Sequence, residues 1–166
     1  MFQTLVKTFL ILLSLNITLH AKTIDIDSII DTANKENKHL FVWLHKTDCA
    51  YCERMKEYTL LHDKVSAFIK KHFIYIYINV SKNDVVKYQG FLGSGNDFAK
   101  EVGYNFYPTS LFFDNDKEII FSEVGYVDCE EISNERHFFK VLNFIQSKAY
   151  EEIELNAYTY TIGKDF

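Results

Sequence analysis

A chain of 166 residues with 48% hydrophobic composition can bury one sizeable core and is short for two. Its net charge of -5, with no basic cluster, argues against a nucleic-acid partner. The three cysteines, an odd number, leave at least one outside any intrachain pair.

The first expected segment lies outside the fold. Lys7 precedes an apolar stretch from Phe9 to Leu19, which ends in Leu19-His20-Ala21 before Lys22, the order of a secretory signal peptide cleaved after Ala21. The stretch falls short of the about 20 apolar residues of a membrane span and is interrupted by Ser14 and Asn16. Cleavage removes Lys7 and no acid, which leaves 145 residues with a net charge of -6. Export also carries Cys49, Cys52 and Cys129 into a compartment where disulfides persist. The expected organisation is a signal peptide over 1–21 and a single domain over 22–166.

Along that domain, a short extended piece at Thr23 to Ile26 leads into a helix capped by Asp27 and running to about Lys35, with Ile29, Ile30 and Ala33 at helical spacing. Residues 39–45, around the apolar run Leu40-Phe41-Val42-Trp43-Leu44, read as a strand. Tyr51, Met55 and Tyr58 recur at helical intervals over Tyr51 to Leu61, and Asp63 caps a further helix holding Val65, Phe68 and Ile69. Residues 73–80 set isoleucines and Val80 on one face against Tyr75 and Tyr77 on the other, the pattern of a central strand. Residues 81–95 hold three of the six glycines without strong periodicity and read as a long loop. They form no phosphate-binding fingerprint, because Phe98 takes the place of the third glycine.

A short helix over Asn96 to Val102 stops at Gly103, and the strands Thr109–Phe113 and Glu118–Val124 are joined by a turn over 114–117. Asp128 and Glu131 make a capping pattern ahead of a last helix with Phe138, Phe139, Leu142 and Ile145 at its core positions. The tail from Glu151 has no assignment from its pattern.

Cys49-Ala50-Tyr51-Cys52 stands where the first long strand feeds the first long helix. Two cysteines three apart in a first helical turn put one thiol toward solvent and the other beneath it, and the unpaired N–H groups and positive dipole end of the helix favour thiolate on the first. Taken alone, the pair is open to use as a redox centre, a structural disulfide or half of a metal site. Zinc needs four ligands, and His45 and His62, the nearest further donors, fall in neither a second C-x-x-C nor an H-x-x-x-H pattern, so no metal is expected. Pro108, the one proline of the chain, stands in Tyr107-Pro108-Thr109 just before the hairpin.

This order of strand, redox helix, strand, helix, hairpin and helix, with Cys49, Cys52 and Pro108 in their places, resembles the thioredoxin superfamily, and most closely its exported thioredoxin-like branch of the SoxW type. The stretches 98–103, 107–114 and 125–128 follow the pattern of that branch, and the resemblance covers about residues 38–150. It implies an α/β thioredoxin fold, a central mixed β-sheet flanked by helices, with a cis proline beside the disulfide. Such a proline leaves the backbone of the residue before it free to pair with an extended substrate, which makes Tyr107 the substrate-facing residue. Tyr51 and Pro108 complete the expected substrate-binding surface.

The resemblance further implies a thiol–disulfide oxidoreductase in which Cys49 attacks a substrate disulfide and Cys52 resolves the mixed disulfide. Its expected partners are protein thiols and disulfides and a membrane electron donor, with no small-molecule cofactor. The expected direction is reduction, in the periplasm. A binding or chaperone module with a structural disulfide, an isomerase and an oxidase are the alternatives. Two positions depart from thioredoxin itself, which has tryptophan directly before the first cysteine and a buried acid six residues before it; here they are Asp48 and Trp43. His45 reads as a strand-end residue, and Cys129 as a first-turn residue with a partly exposed thiol.

Overall fold

The computed structural model describes residues 22–127 and 133–162. The expected signal peptide, Cys129 and the Asp128/Glu131 capping pattern all lie outside the described residues. Strand β1 (Thr23–Asp25) leads into helix α1 (Ile26–Lys35), and β2 (His39–His45) follows. The cap of α1 is Asp25 and not Asp27: its carboxylate accepts from Ser28 N–H at 3.1 Å, while Asp27 lies within the first turn, its Oδ2 accepting from Gln89 N–H.

The redox helix is α2 (Ala50–Met55), and it widens into a π-turn over Lys56–Leu60, where Leu61 N–H reaches back five residues to the Lys56 carbonyl at 3.0 Å. Helix α3 (Asp63–His72) has His62, not Asp63, at its N-cap position and runs directly into β3 (Phe73–Asn79). Next come β4 (Val85–Tyr88), β5 (Phe91–Ser94), α4 (Gly95–Glu101), β6 (Thr109–Phe113) and β7 (Ile119–Val124). The chain closes with α5 (Asn134–Gln146), a short 3-10 turn (Ala149–Glu151) and α6 (Leu155–Ile162).

The main sheet has the order β3-β2-β6-β7, with β2 parallel to β3 and antiparallel to β6, and β6 antiparallel to β7. Both faces of β2 are buried, which explains its unbroken apolar run. Phe41 and Trp43 join a cluster with Met55, Phe112, Phe138 and Leu142 on the face covered by the redox helix and α5. Leu40, Val42 and Leu44 join Ile26, Ile30 and Phe98 on the opposite face, beneath α1 and α4. Phe112 stacks on Phe41 with ring centroids 4.9 Å apart, so neighbouring strands are also locked by an aromatic cross-strand pair.

Two further sequence expectations are corrected. Strand β3 is an edge strand, paired only with β2, although its two-faced pattern is right: Ile78 is buried on one side while Tyr75 packs on the other. The segment read as a loop over 81–95 folds as a hairpin, Val85 opposite Ser94 and Tyr88 opposite Phe91, which joins β1 in a second sheet of order β1-β4-β5. Its turn is Gln89–Gly90, both at positive φ (44° and 85°), the two-residue geometry that matches strand twist. The unassigned tail is also structured, since Tyr158 of α6 is buried against Phe144.

Candidate active site

The last residues of β2 fix where the redox pair begins. Val80 N–H donates to the His45 carbonyl at 2.9 Å, and the Asn79 side chain donates to Thr47 Oγ1 at 3.1 Å, so the turn over 46–48 is tied to the end of β3. Asp48, at φ 56°, then swings the chain into α2. Cys49 occupies the N-cap position with extended backbone, and its Sγ accepts from Cys52 N–H at 3.2 Å. A disulfide joins Cys49 and Cys52, with Cα atoms 5.2 Å apart. Cys49 is half-buried and Cys52 fully buried, so attack from outside can reach only the first sulfur.

The loop before β6 closes over this disulfide. Tyr107–Pro108 is a cis peptide, and the Tyr107 carbonyl oxygen lies 3.8 Å from Cys49 Sγ. Pro108 is buried, and its carbonyl accepts from Gly125 N–H at 2.7 Å, which draws the end of β7 to the same place. Thr109 Oγ1 donates to the Phe106 carbonyl at 2.7 Å and stiffens the approach to the proline. Tyr107 is half-buried, which pushes its hydroxyl pKa upward, whereas Tyr51 is 59% exposed beside the pair. The structure therefore brings Cys49, Cys52, Tyr107 and Pro108 together, with Tyr51 on the rim.

At the π-turn end of the redox helix lies a polar link that the sequence pattern did not reveal. Asn134, at the start of α5, accepts from Val127 N–H at 2.9 Å through Oδ1 and donates to Thr59 Oγ1 at 2.6 Å through Nδ2. Thr59 belongs to the π-turn, so one buried side chain joins the redox helix to the segment 125–127 that holds Pro108. The one sequence signal for it is a polar threonine on a helix otherwise packed through Cys52, Met55 and Leu60.

Trp43, where thioredoxin has its buried acid, packs in the same cluster as Cys52 and stacks on His45 with centroids 4.5 Å apart. Indole does not take up a proton near neutral pH, so this position offers no acid or base to the buried sulfur. His45 is held below the usual histidine range, chiefly by burial, and its Nε2 is buried without a partner among the described residues. No group of three or more His, Cys, Asp or Glu side chains gathers at metal-binding geometry among the described residues.

A family model described as a thioredoxin-like domain matches residues 26–140. No curated protein sequence matches the chain. Among solved structures, a thioredoxin-fold protein from Helicobacter pylori is 22% identical with a TM-score of 0.65, over 86% of this chain and 89% of that one. A thioredoxin from Thermus thermophilus is 16% identical with a TM-score of 0.50, over 75% and 85% of the respective chains. Thioredoxin f2 from Chlamydomonas reinhardtii is 14% identical, also with a TM-score of 0.50, over 76% and 97%. At these identities the likeness is one of fold.

Proposed function

The chain belongs to the thioredoxin-like domain family and is a thiol–disulfide oxidoreductase, and from that premise we propose that it reduces disulfides in polypeptides outside the cytosol, through Cys49 and Cys52. The observation that carries the reading is the asymmetry of the pair, one sulfur half-exposed under a backbone N–H and the other sealed beneath it. In the reduced protein that N–H favours thiolate on Cys49.

The Cys49 thiolate attacks one sulfur of a substrate disulfide; an S–S bond forms between them, and the second substrate sulfur leaves as thiolate. Cys52 attacks Cys49 Sγ, its proton passing to the departing substrate thiolate, which closes the Cys49–Cys52 disulfide and releases the first substrate sulfur. Two electrons have passed to the substrate, and the protein stands in the oxidised form described above. A dithiol donor must restore the reduced form, and a membrane-bound one is proposed because exported proteins are cut off from cytosolic reductants. In this reading the backbone of Tyr107 pairs with the substrate segment, with Tyr51 and Pro108 flanking it, which the nearness of the Tyr107 carbonyl to Cys49 Sγ supports. Periplasmic location rests on the signal-like residues 1–21, and the reductive direction on the resemblance to the SoxW-type branch.

The test is insulin reduction driven by dithiothreitol. Cys49→Ser is expected to abolish it, and Cys52→Ser to accumulate a mixed disulfide with substrate. An equilibrium potential nearer the roughly -270 mV of thioredoxin than the roughly -120 mV of a strong oxidant is expected, and the opposite result would reverse the direction. A mature N-terminus at Lys22 after export checks the location.

A further inference from the structure

Between the redox-helix segment, α3 and the sheet lies a cavity of about 680 Å3 that the redox chemistry does not use. That volume falls within the roughly 300–1,000 Å3 of small-molecule sites. Its wall is aromatic and aliphatic, formed by Trp43, Phe73 and Tyr75 of the sheet, Leu60 of the π-turn and Ile69 of α3. The π-turn is part of the construction, because it carries both Leu60 and Lys56 to the cavity, and such turns recur where helices are shaped for function.

The residues around this apolar space also carry polar groups. Trp43 and His45 are stacked in the wall, and the indole N–H of the first and Nε2 of the second are buried with no partner among the described residues. At the rim, Lys56 is matched by Glu53 at 3.7 Å, while Lys70 adds a second ammonium. His45 is neutral near pH 7, burial holding its pKa down, so the lining carries a net positive charge.

We propose that this cavity binds a small aromatic anion, a planar apolar body bearing one carboxylate or sulfonate. The body lies along Trp43 and Tyr75, and the anionic group meets Lys56 and Lys70. This site is separate from the Cys49 face and stands whether or not the reductive reading does.

The probe is 8-anilinonaphthalene-1-sulfonate, titrated into the full protein with its disulfide closed and compared with the uncharged N-phenyl-1-naphthylamine. Trp43 is the one tryptophan of the chain, so its emission reports occupancy directly. Saturable one-to-one binding with quenching of Trp43 is expected, and the uncharged analogue is expected to bind more weakly. Lys70→Gln and Lys56→Gln are each expected to weaken the anion by about fivefold while leaving the analogue unchanged. Ser66→Phe, which fills the cavity from α3, is expected to abolish binding of both. Non-saturating binding, equal affinity for the two probes, or anion binding indifferent to both lysine substitutions overturns the proposal. The lysines lie on the exposed surface, so their variants decide the matter even if Ser66→Phe does not fold.

Discussion

Asn134 Nδ2 donates to Thr59 Oγ1 at 2.6 Å, and both side chains are buried, so the start of α5 and the π-turn of the redox helix are joined by a hydrogen bond sealed from water. A buried polar pair is costly when broken, because the surviving partner is left without water or protein to bond. Asn134→Ala strips Thr59 of its donor and Val127 N–H of its acceptor. The expected loss is about 1–3 kcal/mol for each group left unsatisfied, read from urea unfolding. Thr59→Val removes only the first bond and is expected to cost less. Equal unfolding midpoints for Asn134→Ala and the parent would show that the link carries no stability.

Asp25 performs two separable tasks. Its carboxylate accepts from Ser28 N–H at the start of α1 and pairs with Lys87 Nζ of β4 at 2.8 Å, and both contacts hold its pKa below the usual carboxylate range, the lysine contact first. Asp25→Ala removes cap and ion pair together and is expected to cost about 0.5–2 kcal/mol. Asp25→Asn keeps a capping oxygen, and because the ion pair is solvent-screened its loss is expected to cost less than loss of the cap. The comparison is made by thermal and urea unfolding of the two variants. An Asn variant as damaged as the Ala variant would assign the stability to the pair with Lys87 and not to the cap.

The parts of the fold legible in the sequence are those in which local pattern and tertiary burial agree. The apolar run of β2, the C-x-x-C at the helix start and Pro108 before β6 each follow from residue type at a fixed place, and their convergence on one site is what the fold delivers. The misread parts are those in which partners lie far away in sequence. Val85-Val86-Lys87-Tyr88 is too short and too mixed to announce a strand, and its pairing with β1 is set some sixty residues upstream. The two-faced pattern of β3 is the same for an edge or a central strand, because alternation records which faces are covered and says nothing of how many neighbours pair. Capping choice between Asp25 and Asp27 turns on two residues of register, which composition does not fix. The Asn134–Thr59 link joins positions 75 residues apart, beyond the reach of any local pattern.

Burial holds His39 below the usual histidine range, opposed by a backbone hydrogen bond with Phe113 and by Asp114 and Glu151, while Lys148 acts with burial. The folded protein therefore binds a proton at this site less readily than the unfolded chain, whose histidine titrates near 6.5. Between the folded value and 6.5 the unfolded state carries more protons, so stability rises with pH across that window. The contribution is complete above 6.5 and is lost as pH falls toward the folded value. His45 and His72 are shifted the same way by burial and add to the slope. His39→Phe keeps a ring beside Phe73 and Tyr150 without a titrating nitrogen. Urea unfolding at pH 7.5 and pH 5 is expected to differ less in this variant than in the parent, and an unchanged difference would remove His39 from the account.

Tyr158 docks the last helix onto the core. It is 7% exposed, packs on Phe144 with centroids 5.3 Å apart, and lies in the cluster that also holds Phe138, Val141 and Cys52. Phe144 in turn meets Phe121 of β7, so α6 completes an aromatic layer that begins at the sheet. Removing a buried aromatic ring costs about 3–5 kcal/mol when the space cannot collapse. Tyr158 lies on a terminal helix that can peel away, so Tyr158→Ala is expected near the lower end, about 3 kcal/mol, by urea unfolding. Truncation before Leu155 is expected to cost at least as much, since it exposes Phe144 to water as well. The two variants separate a docked helix from a pendant one: if truncation leaves the unfolding midpoint unchanged, α6 contributes nothing to the core that Tyr158 enters.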